Sequence, residues 1–303
     1  MNEADPEPSE PQVEPKRPTV LGALFMGTVG NLLLSVLTTV LVLALVMLAR
    51  ALGHPVEKSG PAITLLESAL GCLTIFFALS LIRGFSFPAM SARYGLRWPA
   101  ISLGTFAIAA VGTLALTIGM NSSSVMLRRL HWLPELPASP FPRPDLAHLP
   151  HAGIPMLVAL ALAKGIFPGL GEELLSRGHV QRGLVAHWSP FASIVVTSVL
   201  FALWHVAPVR YLGTFAFSCW VGWIAWRCDS IVPGMALHVI NNWVFAFAVV
   251  LTRALPARVL GPHRQLPAST LVASAWAGLV LATVCASLLV LQLPAAPARE
   301  GRG

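Results

Sequence analysis

The feature that most constrains this chain is a succession of apolar runs, each near the roughly 20 residues that a helix needs to cross a bilayer. They fall near residues 20–48, 62–82, 100–120, 152–170, 190–207, 211–226, 231–251 and 270–292. In lipid a segment's backbone groups must be satisfied internally, so such runs predict helices. The expected fold is all-α: a polytopic membrane bundle of about eight transmembrane helices. Composition agrees, because only 11% of the residues are charged and 55% are hydrophobic. The mean hydropathy of +0.72 lies well above soluble usage. Runs four to seven are short or interrupted by Gly and Pro, the pattern of tilted or broken helices packed around something polar.

The ends and the longest connection differ in character. Residues 1–18 form an acidic, Pro-rich tail in which Glu3, Asp5, Glu7, Glu10 and Glu14 account for much of the chain's acid, with too few apolar side chains to fold. No basic n-region precedes the first apolar run, and that run is too long for a signal h-region, so an uncleaved first membrane helix is expected. Residues 19–293 read as one transmembrane domain and 294–303 as a short flexible tail. Between runs three and four, residues 121–151 (NSSSVMLRR through DLAHLPH) read as a Pro-rich loop able to cap a cavity.

Charge and cysteine exclude some partners. The net charge of +7 comes from arginines scattered among short loops, with no clustered stripe, so no nucleic-acid partner is expected and membrane lipid is. With the amino terminus inside, Lys16, Arg17, Arg83, Arg93, Arg97, Arg182, Arg227, Arg299 and Arg302 fall inside, but nearly as many basic residues fall outside, and orientation stays open. Cys72, Cys219, Cys228 and Cys285 have no CxxC spacing and read as small hydrophobes of the interior.

Against this background GEELLSRGH, residues 171–179, stands out. Glu173 and Arg177 are four apart with the acid first, the favoured order for a helical ion pair. Glu172 is turned by about 100° from its neighbour and cannot share that pairing, which makes it the candidate for chemistry. Two further polar insertions interrupt apolar runs: FALWH at 201–205 and HVINN at 238–242. Phe201 and His205 share one helix face, as do His238 and Asn242, so their polar members can converge inside a bundle. Ionisable groups at membrane depth usually mark function.

The ordered set Glu172, Glu173 and Arg177, then Phe201 and His205, then His238 and Asn242, resembles the CAAX-protease and bacteriocin-processing (CPBP, or Abi) family of intramembrane proteases, which includes the CAAX prenyl endopeptidases. The resemblance covers residues 152–251, which it marks as the catalytic core. It implies a bundle with a water-filled cavity and a membrane-associated or prenylated protein or peptide as substrate. Ser176 departs from the pattern, standing where many members carry an aromatic residue.

The chemistry of peptide hydrolysis suits these residues. Glu172 could take a proton from a water also held by His205. His238 and the Asn242 amide could donate to the oxyanion. Glu173 and Arg177, with Phe201, would support the site. No cofactor is favoured; the competing chemistry is a zinc metalloendopeptidase with Glu172, His205 and His238 as ligands, although no HExxH is present. Two other classes stay in view: a proton- or ion-coupled transporter, and a non-catalytic immunity or scaffold protein. Of the remaining polar residues, His179 and His187 read as interfacial, Lys164 as snorkelling or lining the cavity, Glu67 and Asn31 as helix contacts, and Trp220, Trp223 and Trp226 as an aromatic belt or packing ridge.

Overall fold

A computed structural model describes residues 18–53, 61–83, 87–99, 101–132, 153–205, 208–254 and 267–295. The terminal tails, apart from Pro18, Pro294 and Ala295, and the Pro-rich stretch from 133 to 152 lie outside these residues. Among the described residues every regular element is a helix. In chain order they are α1 (Val20–Ala51), α2 (Pro61–Arg83), the short α3 (Phe87–Tyr94), α4 (Leu103–Arg129) and α5 (Ile154–Val185), followed by α6 (Pro190–Trp204), α7 (Pro208–Arg227), α8 (Val232–Ala254) and α9 (Ala268–Gln292). The long ones coincide with the apolar runs; α3 was not anticipated.

Five segments, α1, Ile63–Ile82 of α2, α4, α5 and α9, are long and apolar enough to cross a membrane. The chain is therefore an integral, multi-pass membrane protein. α6 has 15 residues, about 22 Å of helix, which is less than the ~30 Å hydrocarbon core. Its C-terminal end, at Trp204 and His205, accordingly stops inside the bundle.

Helix starts follow side-chain chemistry. Thr19 caps α1 by accepting from the Gly22 amide, Ser102 caps α4 through the Thr105 amide, and Ser189 caps α6 ahead of Pro190. One expectation is corrected here. The expected loop at 121–151 begins only after α4 has run to Arg129. The serines that suggested a loop fold their hydroxyls back onto helix carbonyls: Ser123 Oγ donates to Gly119 at 2.8 Å and Ser124 Oγ to Met120 at 2.9 Å.

α5 is the centre of the bundle. α2 packs on one side of it, where Gly171 abuts Cys72, and α8 on another, where Gly165 and Gly169 meet Trp243 and Val239. A Cβ on Gly165 would stand 2.1 Å from the Trp243 ring, so only glycine allows this approach. α6 and α7 pack against each other and close over the second half of α5. That half is π-helical over Leu174–Gln181, a widened turn found disproportionately at functional sites. A second π segment, Met26–Gly30 in α1, offers the Gly27 carbonyl to Trp204 Nε1 at 2.7 Å and so ties α1 to the end of α6.

Arg97, after α3, and Arg182, near the end of α5, both pair with Asp229, and the Ile231 amide donates to the Gly95 carbonyl at 3.0 Å. These contacts fasten the connection after α3 to the turn between α7 and α8.

Candidate active site

Glu173 is fully buried, a state a carboxylate tolerates only with compensating partners. Its Oε1 accepts from Arg177 Nη1 at 2.7 Å and from His238 Nδ1 at 2.9 Å. Arg177 is buried as completely, and its fork is spread over two helices. Nη1 also reaches Ser176 Oγ at 2.8 Å, while Nη2 donates to the carbonyl and hydroxyl of Ser218 on α7 at 3.0 and 2.9 Å. The guanidinium carbon lies 4.7 Å above the Phe201 ring, within cation–π range.

Phe201 joins this network to both histidines. Its ring centroid is 5.1 Å from that of His205 and 5.9 Å from that of His238. Phe217, on α7, has its ring centroid 5.0 Å from that of His238, with the two planes inclined at 66°. The two imidazoles are held in one orientation each. His205 Nδ1 lies 3.0 Å from the Phe201 carbonyl, and a carbonyl can only accept, so that nitrogen carries the proton. The same reasoning applies to His238 Nδ1 and the Glu173 carboxylate. In the neutral rings both Nε2 atoms are thus unprotonated.

Glu172 stands apart from the ion-paired set. It is partly buried, and no ion pair among the described residues reaches it. It follows Gly165 by seven residues and so shares the α8-facing side of α5. Asn242, one turn beyond His238, is partly buried too. The structure thus joins Glu173, Arg177, Phe201, His205 and His238 through direct contacts. It sets Glu172 and Asn242 on the same helices beside them.

Several residues were not singled out from sequence. Ser176, noted above only as a departure from the family pattern, accepts a hydrogen bond from Arg177 and donates to the Glu172 carbonyl at 2.5 Å. Ser218 and Phe217 sit in an apolar run with no spacing to the motifs that would draw attention. Asn241 is more buried than Asn242, and its Oδ1 has no hydrogen-bond partner among the described residues. His179, expected at the interface, is buried, as is every residue of the π segment, with its ring 6.1 Å from that of Tyr94. Of the tryptophans, Trp220 is a packing residue that donates to Thr113 Oγ1 at 2.9 Å.

Among the described residues no three His, Cys, Asp or Glu side chains lie close enough to share a metal ion. The candidate ligands Glu172, His205 and His238 therefore do not close into a metal site in this arrangement.

A multi-pass bundle that buries a glutamate–arginine–histidine network beside a second, unpaired carboxylate has the form of a membrane-embedded hydrolase site. Residues 154–244 match the family model described as type II CAAX prenyl endopeptidase Rce1-like. Over those residues the chain is similar to the CAAX-protease and bacteriocin-processing family, a likeness that indicates a membrane-embedded protease. No curated protein and no solved structure matches the chain.

Proposed function

We propose that the protein is an intramembrane endopeptidase that hydrolyses a peptide bond in a membrane-associated or prenylated, CAAX-type tail, with Glu172 as general base and no metal. The observation that carries this reading is the occupation of Glu173. Arg177 and His238 both bind its Oε1, which leaves Glu172 as the carboxylate available for chemistry.

The mechanism takes His238 in its doubly protonated form, with Nδ1–H on the Glu173 carboxylate. His238 is then a donor at Nε2 while Nδ1 stays bound to Glu173. A water positioned by the unprotonated Nε2 of His205 gives its proton to Glu172 as its oxygen bonds to the scissile carbonyl carbon. The carbonyl oxygen becomes an oxyanion that accepts from His238 Nε2–H and the Asn242 amide. Collapse re-forms the carbonyl and breaks the C–N bond, and Glu172 returns its proton to the leaving amine. The products are a new carboxyl terminus and a free amine, with one water consumed.

The test is reconstitution of the purified chain in liposomes with a farnesylated peptide ending in a CAAX sequence, read by mass spectrometry of both fragments. The expected result is cleavage by the wild type that is lost in Glu172→Gln. Cleavage that persists undiminished in Glu172→Gln overturns the assignment of the base, and failure to cleave prenylated and unprenylated tails alike overturns the peptidase reading.

A further inference from the structure

We propose that Lys164 reads the free C-terminal carboxylate of the substrate tail; the proposal rests on the peptidase reading above and adds the feature by which the substrate is recognised. The faces of α5 set its position. Leu162, Ile166 and Leu170, four residues apart, are the exposed stripe that meets lipid. Gly165 and Gly169 touch α8, and Gly171 touches α2. Lys164, Pro168 and Glu172 form a further row with the same spacing, set between the α2 and α8 contacts and away from the lipid stripe. All three are partly buried. Lys164 thus belongs to the row that carries the proposed base.

Its depth argues against a headgroup anchor. Lys164 lies ten residues after Ile154, about 15 Å along the helix axis, whereas anchoring lysines sit near helix ends. An intramembrane cation turned into the bundle calls for a functional explanation. Lys164 also makes a polar or electrostatic interaction of its own.

The spacing matches the chemistry of a CAAX-type tail, in which the prenylated cysteine is followed by three residues and a free carboxylate. For hydrolysis just after that cysteine, the attacked carbonyl sits at Glu172 and the terminal carboxylate three residues on. Three extended residues span about 10 Å. The eight residues from Lys164 to Glu172 rise about 12 Å. An extended tail along this row therefore brings its carboxylate to the level of the lysine ammonium. A compact point charge suits a terminal carboxylate, and the low-dielectric surroundings strengthen the pair. Such an anchor measures the tail from its end, selecting a free acid of the right length over an internal segment.

The experiment compares two farnesylated peptides that differ only in ending as a carboxylate or a carboxamide, using the full chain in liposomes. Wild type is expected to favour the acid in kcat/KM by at least about tenfold. In Lys164→Met the acid-to-amide ratio should collapse towards one, and Lys164→Arg should restore part of it. Lys164→Gln, which keeps a polar side chain, serves as a second test of the ratio should the methionine variant fail to fold. A wild type without acid preference overturns the proposal, as does an acid-to-amide ratio that survives in the Met or Gln variant, including equal losses on both peptides. If wild type cleaves neither peptide, the peptidase reading fails and this inference falls with it.

Discussion

Two helix pairs in this bundle are built by the same device and used for different ends. α4 and α9 cross at Gly119 and Gly278, where a Cβ on Gly278 would meet the Ala115 carbonyl oxygen at 2.5 Å. α5 and α8 approach at Gly165 and Gly169, against Trp243 and Val239. In both pairs small residues let the backbones close, as membrane helices require when apolar burial gives them no advantage over lipid. What they place at the contact differs. Among the described residues the α4/α9 contact carries hydroxyl and amide groups, Ser122 with Ser274 and Thr105 with Gln292. The α5/α8 pair buries Glu173 against His238, with Arg177 alongside. Close packing alone therefore explains the first pair, while the charges in the second need a reason beyond adhesion. Their restriction to α5 and its neighbours also favours a local site over the membrane-wide polar path of a transporter.

The sharpest break between chemistry and packing is at Glu172. Glu172→Gln should lower the rate by about 10²- to 10⁴-fold, the usual contribution of a general base, while size-exclusion behaviour and thermal unfolding stay as in the wild type. Joint loss of fold and rate would place Glu172 with the structural charges instead. Arg177→Ala should do the reverse. It leaves Glu173 with only His238 in a dry interior, a loss of about 3–5 kcal/mol, seen as a fall in folded yield and in the unfolding temperature. Wild-type yield and unfolding temperature in that variant would remove the case for a structural pair.

Gly278→Val probes the other helix pair. Pushing α9 away from α4 should cost about 1–3 kcal/mol, while turnover per folded molecule holds at the wild-type value. A large drop in specific activity would mean that the two pairs are coupled and the contrast drawn above is too simple. Ser218→Ala is a finer cut. It removes one of the two acceptors that α7 offers Arg177 Nη2 and retains the carbonyl, so the expected loss is about 1 kcal/mol, read from denaturant unfolding in mixed micelles. No loss at all would show that the hydroxyl is dispensable once the carbonyl is in place.

How far the sequence reaches follows the same division. The apolar runs announced α1, α2 and α4 to α9, because the ~20-residue length criterion is set by the bilayer and needs no partner information. The Glu173–Arg177 pair was legible from i,i+4 spacing alone. The bond from His238 to Glu173 was not, since it joins residues 65 positions apart and depends on how α8 lies against α5. The part played by Ser218 was hidden for a similar reason: one serine in an apolar run looks like any helix-contact serine until the packing of α7 turns it towards Arg177. The π-helical turn at Leu174–Gln181 was equally invisible, because neither apolar runs nor i,i+4 spacing marks one, and the burial of all its residues, His179 included, depends on the surrounding helices.

The smallest effect is expected from a chelator. His205 and His238 each hold the Nδ1 proton towards an acceptor, the Phe201 carbonyl and the Glu173 carboxylate, which in neutral rings leaves Nε2 able to bind either a metal or a water. Protonation therefore does not choose between the mechanisms. A catalytic zinc needs about three protein ligands at 2.0–2.2 Å with one position open, and no three candidate ligands among the described residues are close enough to share one ion. The base mechanism needs each group only within reach of the substrate or one water. Dialysis against a chelator should accordingly leave the rate unchanged, and elemental analysis of protein purified without added metal should find zinc well below one per chain. A rate that falls on chelation and returns with zinc alone would show that α5, α6 and α8 draw together around an ion, and would move His238 from oxyanion donor to ligand, since one Nε2 cannot carry a proton and a metal together.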